Sequence, residues 1–142
     1  MVVTLEFPAD AHRRIGLVHA TRERDRHRKH HLRDRLRVFA GERDWDQFHT
    51  PKNLSMALIA EAAELVEHFQ WVEGDKSHLL EEKVRPSVEE EIADIFIYLV
   101  RIADKLDIDL YSAAERKIVI NARKYPADRV RGSARKYTEY ED

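Results

Sequence analysis

Four acidic residues fall where an apolar helix face belongs. In "ALIAEAAELVEHFQW" (Ala57–Trp71), Glu61 and Glu64 stand three apart among Leu, Ile and Ala. Three residues turn a helix by about 300° and advance it by about 4.5 Å, so both carboxylates share one face. Glu61 follows Leu58 by three and precedes Leu65 by four, which puts it inside the stripe that the helix buries. "VEEEIADIFIYLVRIADKL" repeats the device, with Glu91 and Asp94 three apart and one turn from Ile95 and Tyr98. A buried charge is costly unless it is protonated, paired or metal-bound. Four converging carboxylates suit a hard divalent cation that takes oxygen ligands, Mg2+ first among them. Di-iron bundles draw on Glu-x-x-His motifs, and neither motif here contains His, which ranks iron lower. A single Glu pair at this spacing is common on a solvated face. Two pairs on apolar faces of neighbouring helices point to a metal site.

These acids need helices to carry them. Leu32, Leu36 and Phe39 recur at 4 and 3, the amphipathic period, and Gly41 loosens the end of that first helix. Thr50 can cap a second helix whose first position is Pro51. Its stripe is Leu54, Leu58, Ala62, Leu65 and Phe69, and it is expected to reach about Glu73, with Gly74 as the stop. Residues 74–86 read as a polar connection with a short turn of helix at "SHLLEEK". Ser87, with Glu90 three residues on, reads as a capping box for the third helix. The expected core face of that helix is Ile92, Ile95, Phe96, Leu99, Ile102, Ala103 and Leu106. Asp109 caps a fourth helix that Pro126 ends. The pattern predicts an all-α, four-helix bundle-like array with short connections. One problem follows. Glu61 would lie ten residues before Trp71 but Glu91 only four after Ser87, leaving the acid pairs offset by about 9 Å. Either the connection climbs back along the bundle or the third helix starts before Pro86.

The composition of the 142 residues narrows the class: 37% are charged, with Gly and Pro at 4 each and no Cys. No Cys means no disulfide, no thiolate ligand and no Cys nucleophile, and fits a reducing, cytoplasmic setting. A net charge of −2, with bases interleaved among acids, argues against nucleic acid as partner. No apolar run approaches the roughly 18 residues of a membrane span, and no signal-peptide core opens the chain. Residues 1–30 are expected to form a charged leader, 31–126 a helical catalytic domain and 127–142 a tail. "TRERDRHRKHH" holds His27, His30 and His31, either a solvated face or transition-metal ligands.

Several motifs occur together in order: W-x-x-F-H at Trp45–His49, the E-x-x-E and E-x-x-D pairs, F-Q-W ending at Trp71, and K-Y-P at Lys124–Pro126. With the tail "SARKYTEY", residues 32–138 resemble the MazG-like all-α nucleoside triphosphate pyrophosphohydrolases, and within them the dCTP pyrophosphatase branch. The resemblance implies Mg2+-dependent hydrolysis of a nucleoside triphosphate to the monophosphate and pyrophosphate, by attack at the α-phosphorus. It implies Glu61, Glu64, Glu91 and Asp94 as metal ligands. It implies Trp45, Trp71 and Tyr98 as base-pocket residues, each of which reads equally as a core aromatic. It implies Lys117, Asn121, Lys124 and Tyr125 as phosphate-binding residues; the first three also read as a solvated polar stripe. Arg135 and Lys136 are expected to close over the phosphates. A dimer or dimer of dimers is implied as the assembly. One position departs: relatives carry a His nine residues before the tryptophan where this chain has Leu36, with His49 as a possible substitute. Base selectivity therefore stays open between dCTP and a modified pyrimidine deoxynucleotide. A catalytically inactive regulatory or assembly module of the same fold is the alternative.

Overall fold

The computed structural model describes residues 31–134. The leader at 1–30, with His27 and His30, and Arg135 and Lys136 of the tail lie outside the described residues. Within them the chain is all-helical, with no strand. Helical backbone covers residues 31–41 (α1), Pro51–Glu67 (α2), Arg85–Lys105 (α3), Leu110–Lys124 (α4) and the single turn Ala127–Val130 (α5). The chain divides into two compact units between Asn53 and Leu54.

In the first unit, α1 ends as the amphipathic pattern predicts, just past Gly41. The residue in the left-handed region, however, is Asp44, with φ 52°. The Asp44 N–H donates to the Gly41 carbonyl at 3.1 Å and the Trp45 N–H to the Ala40 carbonyl at 2.9 Å. This is a Schellman closure in which Asp takes the place Gly usually fills. Thr50 caps α2 as expected: its Oγ1 accepts from the Asn53 N–H at 3.2 Å.

In the second unit, Leu54 is buried, and Leu58, Ala62, Leu65 and Phe69 follow half-buried, so the stripe of α2 is as its spacing predicts. The helix stops at Glu67, not Glu73. Beyond it the Phe69 N–H reaches back only three residues, to the Val66 carbonyl, and the chain continues as separate turns. No helix forms at "SHLLEEK"; isolated turns stand there instead. The third helix starts at Arg85, before both Pro86 and Ser87. Its N-cap is Val84 with no side-chain cap bond, so the capping box expected at Ser87 does not form. Pro86 fits inside the first turn because an N–H there has no intrahelical partner to lose.

α3 closes as α1 does. Asp107 takes φ 52°, its N–H donates to the Asp104 carbonyl, and the Ile108 N–H donates to the Ala103 carbonyl at 2.8 Å. Asp109 then caps α4, its Oδ1 accepting from the Tyr111 and Ser112 N–H groups at 3.0 and 3.2 Å. The helix ends at Lys124, ahead of Pro126, and α5 follows unforeseen.

The core of this unit is smaller than its sequence suggests. Val88 and Ala103 are buried, and Ile95 and Ile102 half-buried. Ile92, Phe96, Leu99 and Leu106, expected inside, are exposed in the single chain. α3 is apolar on more than one face, and its own unit covers only some of it. Among the buried groups is one charge the apolar pattern concealed. Arg101 is 3% exposed and pairs with Asp104 one turn on, Nη1 to Oδ2 at 3.2 Å.

Candidate active site

The new helix ends remove the offset between the acid pairs. Glu61 lies six residues before the end of α2, and Glu91 six residues after the start of α3. Two helices running back along each other from one connection therefore carry these acids at the same level. Carboxylate oxygens of Glu61, Glu64 and Glu91 lie within 4.8 Å of one another. Glu91 faces Glu61 closely enough to favour a protonated Glu61 carboxyl. Asp94 lies one turn farther along α3, and its charge still acts on Glu61.

The electrostatics follow from this crowding. Burial, and then the charges of Glu64, Asp94 and Glu91, hold the Glu61 carboxyl above its ordinary value. Tyr98 is pushed up as well, by burial first and then by Glu61 and Asp94. It stands one turn beyond Asp94 and lies within reach of the same negative cluster. Among the described residues, no Lys, Arg or His makes an ion pair with any of the four acids. A set of oxygen donors this close fits a hard divalent cation. The residues that would hold it are Glu61, Glu64 and Glu91, with Asp94 beside them.

The other candidates are distributed more widely. Trp71 stands in the connection after α2 and is 89% exposed in the single chain, so its own chain does not bury it. Lys117, Asn121 and Lys124 share one exposed face of α4, and Tyr125 is its C-cap. Trp45 and His49 belong to the first unit, their rings tilted at 60° with centroids 6.1 Å apart. Leu36, at the departing position, lies half-buried in α1. Sequence reasoning missed the Arg101–Asp104 pair. The available signal was a basic residue set between Val100 and Ile102 in an otherwise apolar run.

With this geometry in place, comparison with known proteins is direct. The MazG-like family model matches residues 57–140, more than half of the chain. The chain belongs to the MazG-like family. Among curated relatives, this MazG-like protein is 47% identical over 103 residues to dCTP pyrophosphatase 1 of Homo sapiens and 45% identical to that of Bos taurus. The matches cover 71% of this chain and 61% of each relative, so the alignment spans under two thirds of their length. A pyrophosphatase from Archaeoglobus fulgidus DSM 4304, solved by crystallography, matches with a TM-score of 0.65 and 44% identity. That match covers 68% of this chain and 91% of the archaeal one. The matched family region contains all four acids and the whole of α3 and α4. No helix among the described residues is long and apolar enough to cross a membrane.

Proposed function

We propose that this MazG-like chain is a divalent-metal-dependent nucleoside triphosphate pyrophosphohydrolase. Its reaction releases a nucleoside monophosphate and pyrophosphate. The observation that carries this reading is the meeting of Glu61, Glu64 and Glu91 within 4.8 Å on two helices. The names of the human, bovine and archaeal relatives point the same way. The substrate we assign is a pyrimidine deoxynucleoside triphosphate, dCTP or a base-modified relative. The ion we assign is Mg2+, which an all-oxygen donor set suits.

A divalent cation, when bound, sets positive charge against the triphosphate and adds Lewis acidity at the attacked phosphorus. The chain's own groups do the rest. Glu61, Glu64, Glu91 and Asp94 give the cluster a charge opposite to the ion's. An ion here would be held by Glu61, Glu64 and Glu91 as charged carboxylates. Trp45, Trp71 and Tyr98 offer ring faces or edges to the base, and base–aromatic stacking contributes about 1–3 kcal/mol per base. His49 is a hydrogen-bonding group for the base edge. Lys117, Asn121, Lys124 and Tyr125 present donors toward phosphate oxygens. Arg135 and Lys136 add charge from the tail.

We assign a homo-oligomer, a dimer or dimer of dimers. Ile92, Phe96, Leu99 and Leu106 follow one another along α3 and are exposed in a single chain, which favours burial against another copy. A cytoplasmic setting fits the absence of Cys. The experiment is a panel of canonical and 5-substituted deoxynucleoside triphosphates, with Mg2+ or with EDTA, scored by pyrophosphate release. Metal-dependent release that is fastest with a pyrimidine supports the assignment. No release from any of them would leave an inactive helical module.

A further inference from the structure

Trp45 is not simply an aromatic side chain on a loop. The Schellman closure of α1 sets its backbone, with Asp44 in the left-handed region and the Trp45 N–H bonded to the Ala40 carbonyl at 2.9 Å. This closure turns the residue after Asp44 back toward the last turn of the helix, where a contact between these positions commonly forms. Phe39 stands there. It meets Trp45 edge-on, with ring centroids 5.7 Å apart and planes at 75°. Arg43 fastens Phe39 in turn. Its guanidinium carbon lies 3.7 Å from the centre of the Phe39 ring, and its Nη1 donates to the Phe39 carbonyl at 3.0 Å. Glu42 holds the same Nη1 at 3.4 Å, and the Trp45 ring is 6.0 Å from the guanidinium.

Phe39 is 46% exposed and Trp45 43%, so neither ring is fixed by burial in the described chain. An exposed aromatic platform ordinarily loses rotamer freedom when a ligand settles on it, and that loss subtracts from affinity. Here the loss is met in advance by an edge-to-face ring contact and a cation over the second ring. We infer that Phe39 and Arg43 are positioning residues that fix the Trp45 indole before substrate arrives. The inference rests on the proposed contact between Trp45 and the base. Because stacking holds ground and transition states about equally, the effect belongs to KM and not to kcat.

The test uses the full chain and two readouts. The chain has two tryptophans, so a Trp71→Phe background leaves Trp45 as the sole tryptophan, read on the long-wavelength edge of the near-UV circular dichroism, beyond the tyrosine bands. Kinetics are measured in the natural background with Phe39→Leu, Phe39→Tyr, Arg43→Gln and Trp45→Leu. Phe39→Leu is expected to weaken the Trp45 signal without substrate. It is expected to raise KM about threefold to tenfold, with kcat within about twofold. Arg43→Gln moves both readouts in the same direction by less, and Phe39→Tyr keeps both near the parent. An unchanged Trp45 signal in Phe39→Leu overturns the inference. So does an unchanged KM in Phe39→Leu when Trp45→Leu raises it. If Trp45→Leu leaves KM unchanged, the base contact is what fails, and the spectrum of Phe39→Leu alone then decides the positioning.

Discussion

Replacing Glu61 with Gln should stabilise the metal-free protein while removing its activity. Glu61 faces two carboxylates within 4.8 Å, Glu64 and Glu91. At that distance, two full charges repel by about 0.9 kcal/mol in water and about 3.5 kcal/mol at an effective dielectric constant of about 20. The side chains are only partly buried, which favours the lower figure. A Gln amide carries no charge and can donate to a neighbouring carboxylate. The expected gain is about 1 kcal/mol at pH 7.5 in EDTA, or a melting point higher by about 3–6 °C. The pH dependence has a definite sign. A carboxyl whose folded pKa is raised binds its proton more tightly in the native state. Its contribution to stability is therefore present at low pH and is lost as pH rises through the interval between its ordinary and its raised value. The parent should lose stability across that interval relative to Glu61→Gln, measured by urea unfolding in EDTA at several pH values. Activity should move the opposite way and fall at least about 100-fold, since a ligand charge is gone. Mg2+ should raise the melting point of the parent more than that of the variant. A variant less stable than the parent in EDTA would mean that Glu61 does not repel its neighbours, and one with parental rates that it does not serve the metal.

Three other outcomes are open to simple measurement. Asp104→Leu should cost about 1.5–3 kcal/mol in urea unfolding, because it removes one charged partner of the buried Arg101, and Arg101→Met with Asp104→Leu should recover part of that loss. Asp109→Ala should cost about 1 kcal/mol and lower the melting point by about 3–6 °C, since two N–H groups at the start of α4 lose their acceptor. Trp71→Ala should leave the melting point within about 1 °C, as the side chain is 89% exposed, yet raise KM about tenfold or more if it stacks on the base. A large drop in its melting point would place Trp71 in a core instead.

Features that act locally were legible in the sequence. Thr50 and Asp109 cap through bonds to residues two or three positions away, so their residue types alone announce the helix starts. The acid pairs were legible because three-residue spacing puts both members on one face whatever the tertiary fold. What escaped depends on contacts or on exceptions to residue preference. Asp44 and Asp107 close α1 and α3 where Gly would have been the signal, so neither closure stood out. Ser87 offered a capping pattern that α3 does not use, because the helix had already begun at Arg85 and took Pro86 into its first turn. With α2 ending at Glu67, that early start is what brings Glu61 and Glu91 level. The exposure of Ile92, Phe96 and Leu99 could not be read from periodicity, which marks an apolar face but not what covers it. Nothing in the spacing sets Arg101 apart, because its burial beside Asp104 depends on tertiary packing.

The proposed role of the four acids on α2 and α3 is a metal-dependent cleavage between the α- and β-phosphates. Phosphorus-31 NMR of dCTP with the full chain and Mg2+ identifies the products as well as their rate. The expected products are dCMP and pyrophosphate in equal amounts, with no dCDP, and EDTA should arrest their formation. Formation of dCDP and orthophosphate, or cleavage that continues undiminished in EDTA, would contradict that role.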